Sequence, residues 1–183
     1  MAKISLSRKE KSIDSILNWY EDQVEALRDL KNKIVRAVIY SNAGVKVNPK
    51  FLELTIGEID EYFENSEEEL NHLVCFDLIS ATEALLRVDY YDKISKKDKS
   101  PVGREFRVIN KKKRNKVSLE DDIVTTWKTA TGDTSFSNFL GLLKYRHWLA
   151  HGRYWQPKLG RQFSVDIAYE ISENIYDVIA VKS

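Results

Sequence analysis

Apolar residues recur every three to four positions along most of the chain, which is the period of an amphipathic helix and not the two-residue alternation of a half-buried strand. Over residues 9–42, Ile13, Ile16, Leu17, Tyr20, Val24, Leu27, Ile34 and Val38 form one stripe and predict a first long helix. Asn42-Ala43-Gly44 is its stop signal. Thr55 with Glu58, and Ser66 with Glu69, have capping-box spacing. They predict a short helix to about residue 65, then a long one over 67–94 that carries Leu70, Leu73, Val74, Phe76, Asp77, Glu83, Leu85 and Leu86.

Between residues 95 and 116 the apolar pattern fades into a stretch rich in Lys, Ser, Pro and Gly. It reads as a connection with one helical turn near 104–109, and as the most mobile element. Ser118 and Asp121 open a helix expected to run through residue 129, and Gly132-Asp133-Thr134-Ser135 resets the chain for another through His151, which Gly152 ends. After a turn over 157–160, Ser164 caps a last helix whose Val165, Ala168, Ile171, Ile175, Val178 and Ile179 face the core. The expected fold is all-α: a bundle of five to six helices with two long antiparallel ones.

Composition narrows the picture. A length of 183 residues fits one domain with its own core. The 29 basic and 28 acidic residues nearly cancel, so any electrostatic attraction must come from a local patch. Cys75 is the sole cysteine, which excludes an intrachain disulfide and fits a reducing compartment; its apolar setting, Leu73-Val74-Cys75-Phe76, argues against a nucleophile. The first residues have no apolar signal region and no run reaches the length of a membrane span, so a cytoplasmic location without membrane attachment is expected.

The densest chemistry lies in Tyr145-Arg146-His147-Trp148-Leu149-Ala150-His151-Gly152-Arg153-Tyr154, which holds two of the three histidines. On a helix, His147 and His151 stand about 40° apart and share a face, with His147 lying between Arg146 and His151 around the barrel. Imidazole, with its ordinary pKa near neutrality, can give or take a proton, and guanidinium offers paired donors to phosphate oxygens. Together they suit cleavage of RNA by its own 2′-hydroxyl. One chain supplies a short inventory for that reaction, and a two-fold dimer facing two copies of this helix would double it. The basic run Lys111, Lys112, Lys113 and Arg114, with Arg153 beside the histidines, offers contacts for RNA phosphates.

The segment from Arg146 to His151 resembles the signature of the HEPN superfamily (higher eukaryote and prokaryote nucleotide-binding domains), an arginine followed after four to six residues by a histidine. His147 matches that family's frequent choice of Asn, Asp or His after the arginine. The resemblance implies an all-α bundle and a dimeric endoribonuclease that needs no metal or other cofactor. Such an enzyme cleaves single-stranded RNA at a composite site and serves as a toxin or antiviral defence effector, in some systems with an antitoxin or regulatory partner. It implies that Arg146 binds the scissile phosphate, that His151 acts in proton transfer and that His147 assists. The segment 78–87 resembles the family's early-helix stretch in which a polar residue supports the arginine, a role that falls on Glu83. Family toxins that are modified on a tyrosine carry it two residues after the histidine, whereas Tyr154 is three after His151, so that regulation is not implied.

Other readings compete. The same family includes catalytically silent modules that bind RNA or a nucleotide as sensors or scaffolds. Arg146 could instead hold a carboxylate on the second long helix in a purely structural interaction protein. His72, Cys75, His147 and His151 could form a structural zinc site if two helices met there. Tyr145, Trp148, Tyr154 and Trp155 could stack on bases or pack in the core.

Overall fold

The computed structural model describes residues 9–40 and 46–182. It is all-helical, with six α-helices and no strand among the described residues: α1 Ile13–Tyr40, α2 Ile56–Ser95, α3 Pro101–Lys113, α4 Thr125–Thr131, α5 Thr134–Ala150 and α6 Val165–Lys182. Among the described residues no helix is long and apolar enough to cross a membrane. The stop signal expected at Asn42-Ala43-Gly44 lies outside the described residues. The described residues group into two compact units, one within 14–74 and the other made of 9–13 together with 75–182.

The first unit is an antiparallel helical hairpin. As the residue number rises along α1, its partner on α2 falls: Tyr20 donates to Asn71 Oδ1 at 2.8 Å, and Lys31 pairs with Asp60 at 2.7 Å. Ile34, Phe51, Ile59 and Phe63 form the hairpin's core, backed by Leu27, Val35, Val38, Val47 and Leu54. Phe51 reaches it from a 3-10 turn, Pro49–Phe51, that the Asn48 side chain caps by accepting from Lys50 N. Every member of the expected α1 stripe is buried or half-buried. The helix starts at Ile13 and not at Lys9, because the polar residues before it have no apolar face to bury.

A single helix of 40 residues replaces the expected break near residue 65. Thr55 and Glu58 do form the capping box, with Thr55 N donating to Glu58 Oε2 at 2.7 Å and Glu58 N to Thr55 Oγ1 at 3.3 Å. Ser66 does not cap: its hydroxyl donates to the Tyr62 carbonyl one turn earlier, a bond that leaves the helical ladder intact. A sequence signal for a helix start is thus satisfied inside a helix.

In the second unit the later half of α2 is the central element. Cys75, Leu78, Ile79, Ala81, Leu86 and Tyr90 are buried on it, and α3, α4 and α5 all contribute side chains that touch it. The region expected to be a mobile connection holds α3, thirteen residues long. Ser100 caps it by accepting from Gly103 N at 3.0 Å, and Pro101 fills the first helical position, where a missing N–H costs nothing. Val102 and Phe106 bury its one narrow apolar edge, Phe106 lying edge-on to Tyr90 at 5.0 Å. Gly103 permits the close approach, since a Cβ there would lie 2.8 Å from both Cβ and the carbonyl oxygen of Asp98. Lys111, Lys112 and Lys113 form the last turn of α3, where cations complement the helix dipole, and Arg114 caps its end at φ 52°.

Ser118 caps as expected, accepting from Asp121 N at 3.1 Å, but the turn it opens, Leu119–Val124, is π-helical and runs on into α4. Trp127 on α4 is fully buried and stacks on Phe136 of α5. Ser164 caps α6 by accepting from Ile167 N, and five of the six expected core positions of α6 are buried, with Val178 half-buried.

A charged network lies largely inside this unit, with Lys93 and Asp89 buried and Asp98 partly exposed. Lys93, with a side chain only 5% exposed, lies 3.5 Å from Asp89 and 3.0 Å from Asp98. Asp89 also accepts from Trp127 Nε1 at 3.0 Å. Burial holds the Asp89 carboxyl above its usual range despite Lys93 and the indole N–H. Lys93→Met is therefore expected to destabilise the protein by about 3–5 kcal/mol at neutral pH, because it strands a buried carboxylate. A carboxyl whose pKa is raised by folding favours the native state when protonated, so the loss should shrink as pH falls and Asp89 takes up a proton. Denaturant titrations of the variant and parent at several pH values check both statements.

Candidate functional site

Arg146 sits just before the last turn of α5, His147 within that turn, and His151 is the C-cap. The helix closes in a Schellman motif, with Arg153 N donating to Trp148 O at 3.2 Å and Gly152 N to Leu149 O at 3.4 Å. Gly152 takes the left-handed conformation at φ 78° that this ending requires, in agreement with the expected stop. Arg153 follows at φ 57° and is half-buried. The motif keeps the α5 backbone helical up to the second histidine, so the one-turn spacing of the pair is preserved.

Arg146 meets α2. Its Nη2 lies 3.6 Å from Glu83 Oε2, and its guanidinium carbon stands 5.5 Å from the centre of the Phe76 ring. Glu83 is shared: its other oxygen accepts from Arg87 Nε at 3.1 Å, one turn along the same helix. Arg146 Nε is buried without a hydrogen-bond partner. Glu83 and Arg146, 63 positions apart in sequence, are thus brought together.

Arg146 opens onto a cleft of about 420 Å³ whose walls include Glu83, Arg87, His147 and the π-helical turn from Ser118 to Asp121. That turn is locked from behind. Asp122, nearly buried, accepts from Lys113 Nζ at 2.6 Å and from Ser118 N at 2.8 Å. Burial pushes its carboxyl up, but the bonds from Lys113 and Ser118 outweigh it and hold it below the usual carboxylate range.

The two imidazoles touch, with ring centres 4.2 Å apart, and both are exposed. His147 also lines a second cleft of about 400 Å³ with Glu120, Lys144, Trp155 and Lys158, so it stands on the ridge between the two. His151 contacts His147 and Trp155 but does not line the Arg146 cleft. The aromatic residues divide. Tyr145 is buried, stacked on Trp148 and Phe163, while Tyr154 is 83% exposed and meets Trp155 edge-on at 4.6 Å.

Lys111, Lys112, Lys113, Arg114 and Arg153 line neither cleft. Among the described residues no three His, Cys, Asp or Glu side chains come together as a set able to hold a metal ion, so the zinc alternative has no assembled ligand cluster. Burial, with Asp166 nearby, pushes the Cys75 thiol up to about 12, which keeps it neutral and inert. Sequence reasoning missed Arg87, Phe76, Glu120 and Lys158. Only Arg87 left a signal, the helical i, i+4 spacing from Glu83.

No protein-family model, curated protein or solved structure matches the chain. The site therefore stands on its geometry.

Asp122→Asn should weaken the protein at neutral pH. A carboxyl whose pKa is lowered by folding contributes stability above its unfolded value and loses it as pH falls through the folded one. The stability gap between variant and parent should accordingly close in acid, as read by thermal melts from pH 7 downward.

Proposed function

We propose that this protein is a metal-independent endoribonuclease of the HEPN type that cleaves single-stranded RNA through Arg146, His147 and His151, and that it acts as a toxin or antiviral defence effector. The observation that carries the reading is the Arg146–Glu83 contact beside an exposed histidine pair. A carboxylate shared with Arg87 holds Arg146 through an ion pair of 3.6 Å and leaves its guanidinium partly exposed on the cleft wall, as a phosphate-binding arginine needs.

In this reading Arg146 neutralises the scissile phosphate and the charge that builds on it as the 2′-oxygen attacks phosphorus. One histidine removes the 2′ proton and another protonates the departing 5′ oxygen, leaving a 2′,3′-cyclic phosphate. His147 lines the Arg146 cleft and His151 flanks it from outside. A two-fold dimer that apposes two α5 ends would bring the second copy's His151 to that cleft and complete the acid–base pair.

Arg146→Ala and His151→Ala are each expected to abolish cleavage of a mixed single-stranded RNA in EDTA. Both side chains are solvent-accessible and lightly bonded, so thermal midpoints should stay within about 4 °C of the parent. Parent activity in either variant, or products lacking 2′,3′-cyclic ends, would overturn the assignment. RNA that binds with Arg146 dependence but is never cut would favour a silent binding module.

A further inference from the structure

Beyond the histidine ridge lies a cleft that the proposed cleavage step does not use. Its walls bring together Trp155, Lys144, Lys158, His147 and Glu120. The Trp155 ring is tilted against both imidazoles, with centres 6.0 Å from His147 and 6.5 Å from His151. Its main chain is anchored, since Trp148 Nε1 donates to the Trp155 carbonyl at 2.7 Å. The cleft's volume of about 400 Å³ falls in the range, roughly 300–1,000 Å³, of sites for small planar ligands.

We infer that this cleft is a nucleobase subsite that selects guanine in the nucleotide next to the scissile phosphate. The inference rests on the RNA-cleavage reading for its placement beside that phosphate. Each wall residue has one part in it. Trp155 offers an indole surface on which a base can stack, an interaction any base can make. Lys144 and Lys158, both exposed, supply cations for the flanking phosphates without reading sequence.

Glu120 supplies the selection. A carboxylate repels phosphate and can only accept hydrogen bonds, so in a cleft that admits RNA it suits a base edge made of donors. Guanine presents two parallel donors, N1–H and the 2-amino group, which match the two carboxylate oxygens. Cytosine and adenine offer one amino group beside a ring acceptor that a carboxylate repels, and uracil pairs its single imide N–H with two carbonyls. Glu120 also lines the Arg146 cleft, so a base held by it lies next to the cleft that the guanidinium borders.

The test separates base selection from cleavage. Four short uridine-rich strands, each with G, A, C or U at one central position and 2′-O-methylated so that none can be cut, are titrated against the full-length protein by fluorescence anisotropy. The G strand is expected to bind about tenfold more tightly than the others, the discrimination typical of one bidentate base contact. Glu120→Ala should bring the four affinities together, and Trp155→Ala should weaken all four. Circular dichroism melts confirm that both variants fold. Equal affinities in the parent, or a guanine preference that survives Glu120→Ala, would overturn the inference. Free GMP provides the other arm: GMP binding as tightly as the G strand would overturn the assignment to RNA in favour of a free nucleotide. Guanine selection by uncut strands, with no cleavage of ordinary RNA, would sink the nuclease reading and leave the base pocket standing. Cleavage that needs Arg146 but ignores sequence would do the reverse.

Discussion

The later half of α2 packs against α3, α4 and α5, and the charged side chains on its inward face cannot be left to water. Desolvating an isolated carboxylate costs several kcal/mol, so each acidic group on that face requires a cation or a donor from another element. Asp89 is met by Lys93 and by the Trp127 indole, which ties α4 to α2. Glu83 is met by Arg87 and by Arg146, which ties α5 to α2. Tyr90, buried next to these, donates to Asn110 of α3 at 3.3 Å. The polar residues of one helix thereby select which residues of its neighbours must face it.

This constraint explains why the candidate site forms where it does. Arg146 turns inward because Glu83 and the Phe76 ring are there, and the neighbouring position at 100° around α5 turns His147 outward. The Schellman ending at Gly152 then places His151 against His147 and sends the chain back so that Trp155 meets both rings. A half-buried cation held against α2 and an exposed imidazole pair are thereby placed side by side at the end of α5.

The floor of the site depends on a less regular element. A π-helical turn is wider than an α-helical one and is uncommon except as a local feature. Here it is held by the Ser118 cap and by the Asp122 bonds to Lys113 and Ser118 N. Lys113, one of the basic run considered for RNA, is therefore committed within the protein, whereas Lys111 and Lys112 remain on the exposed end of α3.

Helical class, most caps and most of the buried stripes were legible in the sequence, because they depend on spacing within ten or so residues. The α1 and α6 stripes, the Thr55, Ser118 and Ser164 caps and the Gly152 stop all belong to this local level. Local reading failed where two outcomes satisfy the same group: Ser66 can cap a helix or bond back within one, and the short edge of Val102 and Phe106 gains its value only when Tyr90 is there to cover it. The Arg-x4-His segment could be seen along the chain, and its resemblance pointed to Glu83. What that arginine touches could not be read from spacing, since 63 residues separate it from the carboxylate it meets. The sequence by itself determined which segments are helical and which faces are apolar, through periods of three to four residues. Only the tertiary structure decided that Glu83, Arg87 and Arg146 share one cleft and that Trp155 and Glu120 flank His147, because contacts between distant residues follow from how helices pack and not from the order in which they are written.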